Sequence, residues 1–558
     1  MVKIYFKKED VTIAIEAGTT ILQAAKKAGV LIESPCDAIG TCGKCKVRLE
    51  KVDDDRTMIR EGQVYHRVTE EEESRGIVLA CQAQVFGDIT VITDNTGLQN
   101  KTLRILTEGQ SFEYAIEPNI TKILKQGRTQ VFAGGVLAGE EEGDTTNEIF
   151  GVVIDIGTTT LVTALVDLKN GEELYSVSSL NPQSLKAQDV LTRINLASTE
   201  EGLHQLYEAI MLELNRMIEE LSKKAGIAAN HIYEVIYSGN TAMIHLATAV
   251  NPKPLGQYPY TPVIRGGSTI SSEGHLNISP FGLIYLPPII SAYVGPDITS
   301  GIIASQLQHT KGTTLFIDIG TNGEIILAKE GHLYATSTAA GPAFEGMNIT
   351  YGMRAGNGAI EAFRITEDNR IEVGIIGEVD GVGICGSGLL DIVGELVRVG
   401  VIASNGKIVT PKEDEEYRSL NGNFSLRDSK PAFTITGEVV LTQKDIRQVQ
   451  LAKGAIRAGI EALLQQMGIQ AGEVDRIEIA GSFGYHLRES SLLHIGMLPQ
   501  EFQGRIHFVG NTSKSGGKAF LLNEALRATA SEVVKDIAVV ELANTEGFDK
   551  LFIRSMNF

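Results

Sequence analysis

Four of the five cysteines fall within the first 81 residues, as Cys36, Cys42, Cys45 and Cys81, in the pattern C-x5-C-x2-C with the fourth 36 positions further on. A zinc ribbon pairs two C-x2-C knuckles, and this stretch has one. A disulfide framework does not suit a long cytoplasmic chain. Three thiolates from one tight loop and a fourth from a distant strand do suit a 2Fe–2S cluster, half wrapped by the loop. Gly40 and Gly43 let the loop backbone pass close to the cluster sulfides and donate N–H groups to them. The fifth cysteine, Cys385, reads as a small buried apolar residue.

The flanks support that chemistry. Val2–Phe6 and Val11–Ile15 alternate like paired strands, and Thr19 or Thr20 can cap a helix running to about Lys27, ended by Gly29. A strand over Lys46–Lys51 follows the cysteine loop, and Arg75–Thr93 carries Cys81. Strand, strand, helix, cluster loop, strand is the order of a β-grasp ferredoxin, and the loop is one residue longer than in the plant-type pattern. Residues 1–95 are therefore expected to be an electron-transfer domain, and residues 96–149 a linker with one amphipathic piece, Tyr114–Gln126, and an acidic, Gly-bearing run.

A second constellation is an internal repeat. Residues 152–167 read VVIDIGTTTLVTALVD and residues 315–330 read LFIDIGTNGEIILAKE. Each is a buried strand, an Asp-Ile-Gly-Thr turn and a second strand, and two copies this far apart suit two related lobes. The turns present Gly157, Thr158 and Thr159, and Gly320, Thr321 and Asn322, whose backbone and hydroxyls can grip phosphate oxygens. Asp155 and Asp318, at the strand ends, are placed to hold Mg²⁺ through water across a cleft.

The rest of the composition narrows the class. The chain has 558 residues, 50 Lys+Arg against 69 Asp+Glu and a formal net charge of −19. That balance argues against a nucleic-acid binder. No apolar run reaches the roughly 18 residues of a membrane span, and the start lacks a signal-peptide core, so a cytoplasmic chain is expected. Two sequences imitate known loops. GVGICG (Gly381–Gly386) matches a dinucleotide fingerprint without a convincing acidic partner, and GNTSKSGGK has the wrong Gly spacing for a P-loop, with Ala519 where Ser or Thr is needed.

The repeat resembles the superfamily of sugar and acetate kinases, Hsp70 and actin, whose two ribonuclease-H-like lobes close on ATP. The resemblance makes residues 150–558 an α/β, two-lobed ATP-binding domain. It also implies that Pro288–Gly301, with Asp297, and Val509–Leu526 are the helices connecting the lobes. Ala480–Gly484 would be the adenosine loop, with Gly481, Ser482 and Gly484, and the long helix Asp445–Met467 would set Lys453 against the adenine. Gly386, Ser387 and Gly388 would face a phosphate or ribose ahead of a helix Leu389–Val399.

Joined to a ferredoxin, this domain makes the whole chain resemble the reductive activators of corrinoid proteins. NPQSLKAQDVLTRI (Asn181–Ile194), SGNTAMIHL (Ser238–Leu246), DIGTNGEI, GICGSGLLD and LTQKDIRQVQLAKGAI (Leu441–Ile456) look like segments of that family. What the resemblance implies is ATP-dependent one-electron reduction of Co(II) to Co(I) in a partner corrinoid protein. A 2Fe–2S cluster, ATP and Mg²⁺ would be the cofactors, with an external electron donor and a homodimer. Asp155, Asp318 and Asp297 would be catalytic. An uphill gap of about 200 mV costs roughly 5 kcal/mol for one electron, an amount that ATP can supply. The chain lacks the D-x-H-x-x-G signature of corrinoid binding, and His245 reads as packed or capping. Three other classes stay open. One is a ferredoxin-fused small-molecule kinase with Asp297 as base. The others are an ATP-driven low-potential donor to a different metalloenzyme, and a nucleotide-binding redox sensor.

Overall fold

The computed structural model describes residues 1–30, 32, 45–50, 57–59, 68, 70–93, 112–409, 418–427, 429–481 and 487–558. The chain divides into two compact units, Met1–Arg104 with Pro342–Gln450, and Ile105–Gly341 with Leu451–Phe558.

In the first unit, the N-terminal part is a five-stranded sheet in the order Val11–Ile15, Val2–Phe6, Ile89–Ile92, Lys46–Leu49, Ile77–Leu79. Val2–Phe6 runs antiparallel to Val11–Ile15 and parallel to Ile89–Ile92, the crossed pairing of a β-grasp. The helix Ile21–Ala28 starts at a reciprocal cap in which Thr20 and Gln23 bond each other's backbone, and it stops at Gly29 with φ of 71°. Its Ile21, Leu22 and Ala25 bury against Ile4, Phe6 and Val47. The other part of this unit has two small sheets, Ile371–Ile375 with Ala359–Ile365 and Gly383–Ile384, and Phe424–Arg427 with Lys430–Thr436 and Val439–Thr442. The helix Gly386–Arg398 lies on the strand Ala359–Ile365.

In the second unit, the stretch expected to be a tether folds. Ile120–Lys125, Arg128–Ala133 and Val136–Glu142 form a three-stranded antiparallel sheet. Polar contacts join it to the strand Ile232–Gly239: Tyr233 donates to Glu141 at 2.6 Å, and Lys122 pairs with Glu141 while lying 4.4 Å from the Tyr233 ring centre.

Two six-stranded sheets complete this unit, and they share one plan. The first runs Glu173–Leu180, Thr160–Asp167, Phe150–Ile156, Ile232–Gly239, Leu283–Leu286, Ser268–Ser271. The second runs Ala538–Val539, His332–Thr338, Gly323–Lys329, Thr313–Ile319, Arg476–Ala480, Ile506–Gly510. In each, a three-strand antiparallel meander is followed by two strands parallel to its first member; the sixth strand differs, Ser268–Ser271 pairing antiparallel with Leu283–Leu286 and Ala538–Val539 parallel with His332–Thr338. The opening strands FGVVIDI and TTLFIDI are buried on both faces except at the Asp, so they read as near-continuous apolar runs. This is a duplicated ribonuclease-H-like fold, as the repeat implies.

Two helices, Pro296–Ala304 and Thr512–Leu522, pack on each other between the sheets. They cross with backbones in contact, since a Cβ on Gly516 would lie 2.0 Å from the carbonyl oxygen of Ser300. Only glycine permits that approach. Among the described residues, no helix is long and apolar enough to cross a membrane.

Candidate cluster and nucleotide sites

Cys45 and Cys81 come together at one end of the N-terminal sheet. Cys45 precedes the strand Lys46–Leu49 and Cys81 follows Ile77–Leu79, and these strands pair antiparallel. Their sulfurs are 3.2 Å apart, both side chains are buried, and neither is in a disulfide. A disulfide would need about 2.05 Å. Two thiolates on one tetrahedral metal, each at about 2.3 Å, stand about 3.8 Å apart, so the pair fits as two ligands of one iron. Cys36 and Cys42 lie outside the described residues.

The candidate nucleotide site is the pair of repeated turns. Gly157 N donates to the Thr160 carbonyl at 3.0 Å, and Gly320 N donates to the Asn322 carbonyl at 2.8 Å, so both loops close the same way. Two asparagines that the sequence reading quoted without assigning roles brace the first loop. Asn181 donates its side-chain amide to the Gly157 carbonyl and its backbone N–H to that of Thr159, both at 2.9 Å. Asn240, cap of the helix Thr241–Ala247, donates to the Thr158 hydroxyl at 2.9 Å. Thr321 presents its carbonyl to Gly341 N at 2.8 Å.

Four carboxyl groups share the cleft. Asp155, Asp297 and Asp318 keep partial exposure, while Glu324 is 7% exposed behind them. Asp318 sits directly opposite Glu324 in the register of their paired strands. Burial, then the Asp155 charge, pushes Asp318 up to about 7. Burial and then the Asp318 charge push Asp297 well above the usual carboxylate range. Glu324 rises too, from burial followed by Asp297 and Asp318. Asp155 is raised by burial, with Asn511 and Ser513 acting against the rise. A site that holds like charges this close suits a cation. Among the described residues, no three His, Cys, Asp or Glu side chains converge to hold a metal directly.

Other expected residues land in varied places. Gly481 follows the strand Arg476–Ala480 beside Asp318's strand, and its N–H reaches the Gly510 carbonyl at 3.2 Å. Ser482 and Gly484 lie outside the described residues. Lys453 is buried, but its amine meets the Asn557 carbonyl and lies 5.4 Å from the Phe558 ring centre. Burial brings it down to about 7. That amine is thus engaged by residues 557–558. Gly386, Ser387 and Gly388 belong to the first unit and open the helix Gly386–Arg398. Gly388 is there for packing, since a Cβ would lie 2.0 Å from the Ile360 carbonyl oxygen. Cys385 is buried, 3.3 Å from that same oxygen. His245 is fully buried and accepts at Nε2 from the N–H groups of Val263 and Ile264, at 3.0 and 3.2 Å, which gives it a packed, loop-holding role.

Glu324, Asn511 and Ser513 join these groups without having been expected from the sequence. A carboxylate inside the otherwise apolar strand GEIILAK was the available signal for Glu324. For Asn511 it was the cap position: its Oδ1 accepts from Lys514 N at 2.8 Å while Nδ2 donates to Asp155 at 2.9 Å. Lys514 is tied to Glu173 at 2.7 Å, so GNTSKSGGK serves as a helix start and not as a P-loop.

A cysteine-bearing β-grasp domain joined to duplicated ribonuclease-H-like sheets defines an iron–sulfur protein with an actin-like nucleotide-binding cleft. Family models match three consecutive parts of the chain. They are a 2Fe-2S iron-sulfur cluster binding domain over residues 4–86, the RACo middle region over 150–310, and the C-terminal domain of RACo, the ASKHA domain, over 312–558. The corrinoid activation enzyme RamQ of Eubacterium limosum is 34% identical over 422 residues, spanning 74% of this chain and 70% of that protein. The [Co(II) methylated amine-specific corrinoid protein] reductase of Methanosarcina barkeri is 24% identical over 444 residues, covering 74% and 77%. A solved structure of a reductive activator for corrinoid, iron-sulfur protein superposes with a TM-score of 0.74 at 28% identity, covering 100% of this chain and 98% of that one. The chain belongs to the family of reductive activators of corrinoid proteins.

Proposed function

We propose that the protein uses ATP to drive one-electron reduction of a partner corrinoid protein from Co(II) to Co(I). The observation that carries this is the presence in one chain of a paired-thiol site and an acidic, two-lobed nucleotide cleft, in a family whose named members activate corrinoid proteins. When held by Cys36, Cys42, Cys45 and Cys81, a 2Fe–2S cluster supplies a one-electron carrier. Residues 1–95 are taken as its domain.

In the cleft, the turns Gly157–Thr159 and Gly320–Asn322 hold phosphate oxygens with backbone N–H groups and hydroxyls. Asp155 and Asp318, on the two sheets, would hold Mg²⁺ through water, with Asp297 entering from the linking helix. Filling the cleft with Mg²⁺ and phosphates relieves the carboxylate repulsion, so closure is favoured when nucleotide is present. That preference is the source of the coupling, since release of ADP, phosphate and Mg²⁺ after hydrolysis returns the cleft to its repulsive state. Gly481, Ser482 and Gly484 are proposed to face the adenosine. An external electron donor, a homodimer and a cytoplasmic setting complete the proposal.

ATP hydrolysis, measured anaerobically alone and with a Co(II) corrinoid protein, tests it. The partner is expected to change the rate severalfold. A rate indifferent to every corrinoid protein offered, with MgATP bound, would point to another acceptor.

A further inference from the structure

Asp155 is gripped by the helix Thr512–Leu522 and its cap, 358 positions away in sequence. Its Oδ2 accepts from Asn511 Nδ2 and its Oδ1 from Ser513 Oγ, both at 2.9 Å. Ser513 Oγ lies 3.0 Å from Ser238 Oγ. Ser238 Oγ in turn lies 2.8 Å from Ser300 Oγ and 3.2 Å from the Pro296 carbonyl. Ser238 and Ser300 are 0% exposed and Ser513 is 5% exposed, so water does not substitute for these contacts. The three serines come from three elements: the strand Ile232–Gly239 and the helices Pro296–Ala304 and Thr512–Leu522.

Each hydroxyl has one proton to donate, so the directions along such a chain are linked. While Asp155 accepts from Ser513, Ser513 is free to accept from Ser238, and Ser238 from Ser300. If the water shell of Mg²⁺ takes over Oδ1, Ser513 turns its proton to Ser238. Ser238 can then donate to the Pro296 carbonyl, in the first turn of the helix that carries Asp297. Two arrangements of the same hydroxyls thus exist, and the occupant of the cleft selects between them.

We infer that Ser513, Ser238 and Ser300 form a hydroxyl relay that ties the Asp155 carboxylate to both linking helices and reverses when the cleft fills, with Ser238 as its pivot. This rests on the nucleotide-cleft reading above. Ser238 is a positioning residue: it touches neither phosphate nor metal, and it acts through Ser513 and Pro296.

The test uses the full-length, cluster-loaded protein with MgADP as probe. Affinity is measured by calorimetry and backbone exposure by hydrogen–deuterium exchange. In the unaltered protein, MgADP is expected to slow exchange both at the loop after Ile156 and along Pro296–Ala304. In S238A, affinity is expected to stay within about twofold while the effect on Pro296–Ala304 falls about tenfold, and the effect at the loop persists. S300A makes the same test from the helix side, should S238A fold poorly. Wild-type protection along Pro296–Ala304 in both variants would overturn the relay. So would equal loss of affinity and protection, which is what a merely structural role gives. If the unaltered protein does not bind MgADP, the cleft reading fails first and takes the relay with it.

Discussion

Asp318 and Glu324 stand directly opposite each other on the antiparallel strands Thr313–Ile319 and Gly323–Lys329. Like charges in that register are destabilising. Burial and neighbouring carboxylates hold Asp318 at about 7 and Glu324 well above its ordinary value. A carboxyl raised in the folded state binds more protons there than in the unfolded chain. Its contribution to stability is therefore present below the unfolded value, near about 4, and is lost as pH rises through the folded value.

For nucleotide-free protein, the difference in melting temperature between E324Q and wild type should thus grow in favour of the variant from pH 5 to pH 8. Calorimetry across that range checks it. The same variant should hydrolyse MgATP at least about tenfold more slowly, because the carboxylate behind the proposed metal site is gone. A pH-independent difference would show that Glu324 does not feel its neighbours.

The Cys45–Cys81 pair gives a spectroscopic prediction. C81S should fold and bind MgADP as wild type does, yet lose the visible absorption and the reduced-state paramagnetic signal of a 2Fe–2S centre. Retention of a full-strength signal would exclude Cys81 as a ligand.

His245 accepts two backbone N–H groups at Nε2, and its Nδ1 is 2.7 Å from the Thr241 carbonyl. Burial lowers its proton affinity. A histidine depressed in the folded state contributes stability above the unfolded value of about 6.5, and loses it as pH falls through the folded value. H245A leaves the N–H groups of Val263 and Ile264 unpaired and should cost about 1–3 kcal/mol at neutral pH. It should also flatten the loss of stability below pH 6. Urea unfolding at pH 7.5 and pH 5.5 measures both, and an unaltered acid limb in the variant would contradict the assignment.

Gly516 allows the two linking helices to touch. G516A places a methyl group about where the Ser300 carbonyl oxygen now is. We expect a loss of about 1–3 kcal/mol from overpacking, together with weaker nucleotide binding, because the helices must spread apart. Thermal unfolding and MgADP calorimetry check it, and wild-type values in both would refute the close crossing.

Much of this was legible in the sequence for local reasons. The cysteine spacing, the T-x-x-Q cap before Ile21–Ala28 and the repeated D-I-G-T turns all act over a few residues, and the fold follows them. The sheet after Ile120 was not legible because its pattern does not alternate: Ile123, Leu124, Val136 and Leu137 are exposed, whereas Thr129 and the Lys122 side chain are buried. Yet its two tight turns, at Gln126–Gly127 and Gly134–Gly135, are hairpin signals. Contacts that depend on long-range folding were not legible. Nothing near Lys453 in the chain announces Asn557, and nothing near Asp155 announces Ser513. At Gly388 close packing requires the missing Cβ, and close approach to a ligand would require it equally, so sequence alone does not separate the two.

In the proposed reaction, ATP at this cleft drives an electron onto a partner's cobalt. The direct measurement is anaerobic: reduced protein is mixed with a corrinoid protein held as Co(II), with and without MgATP, and Co(I) absorbance is followed. Co(I) should form to a substantial extent only with MgATP, and D155N and D318N should remove that dependence by abolishing the reaction. Co(I) formed equally fast and completely without nucleotide would contradict the coupling outright.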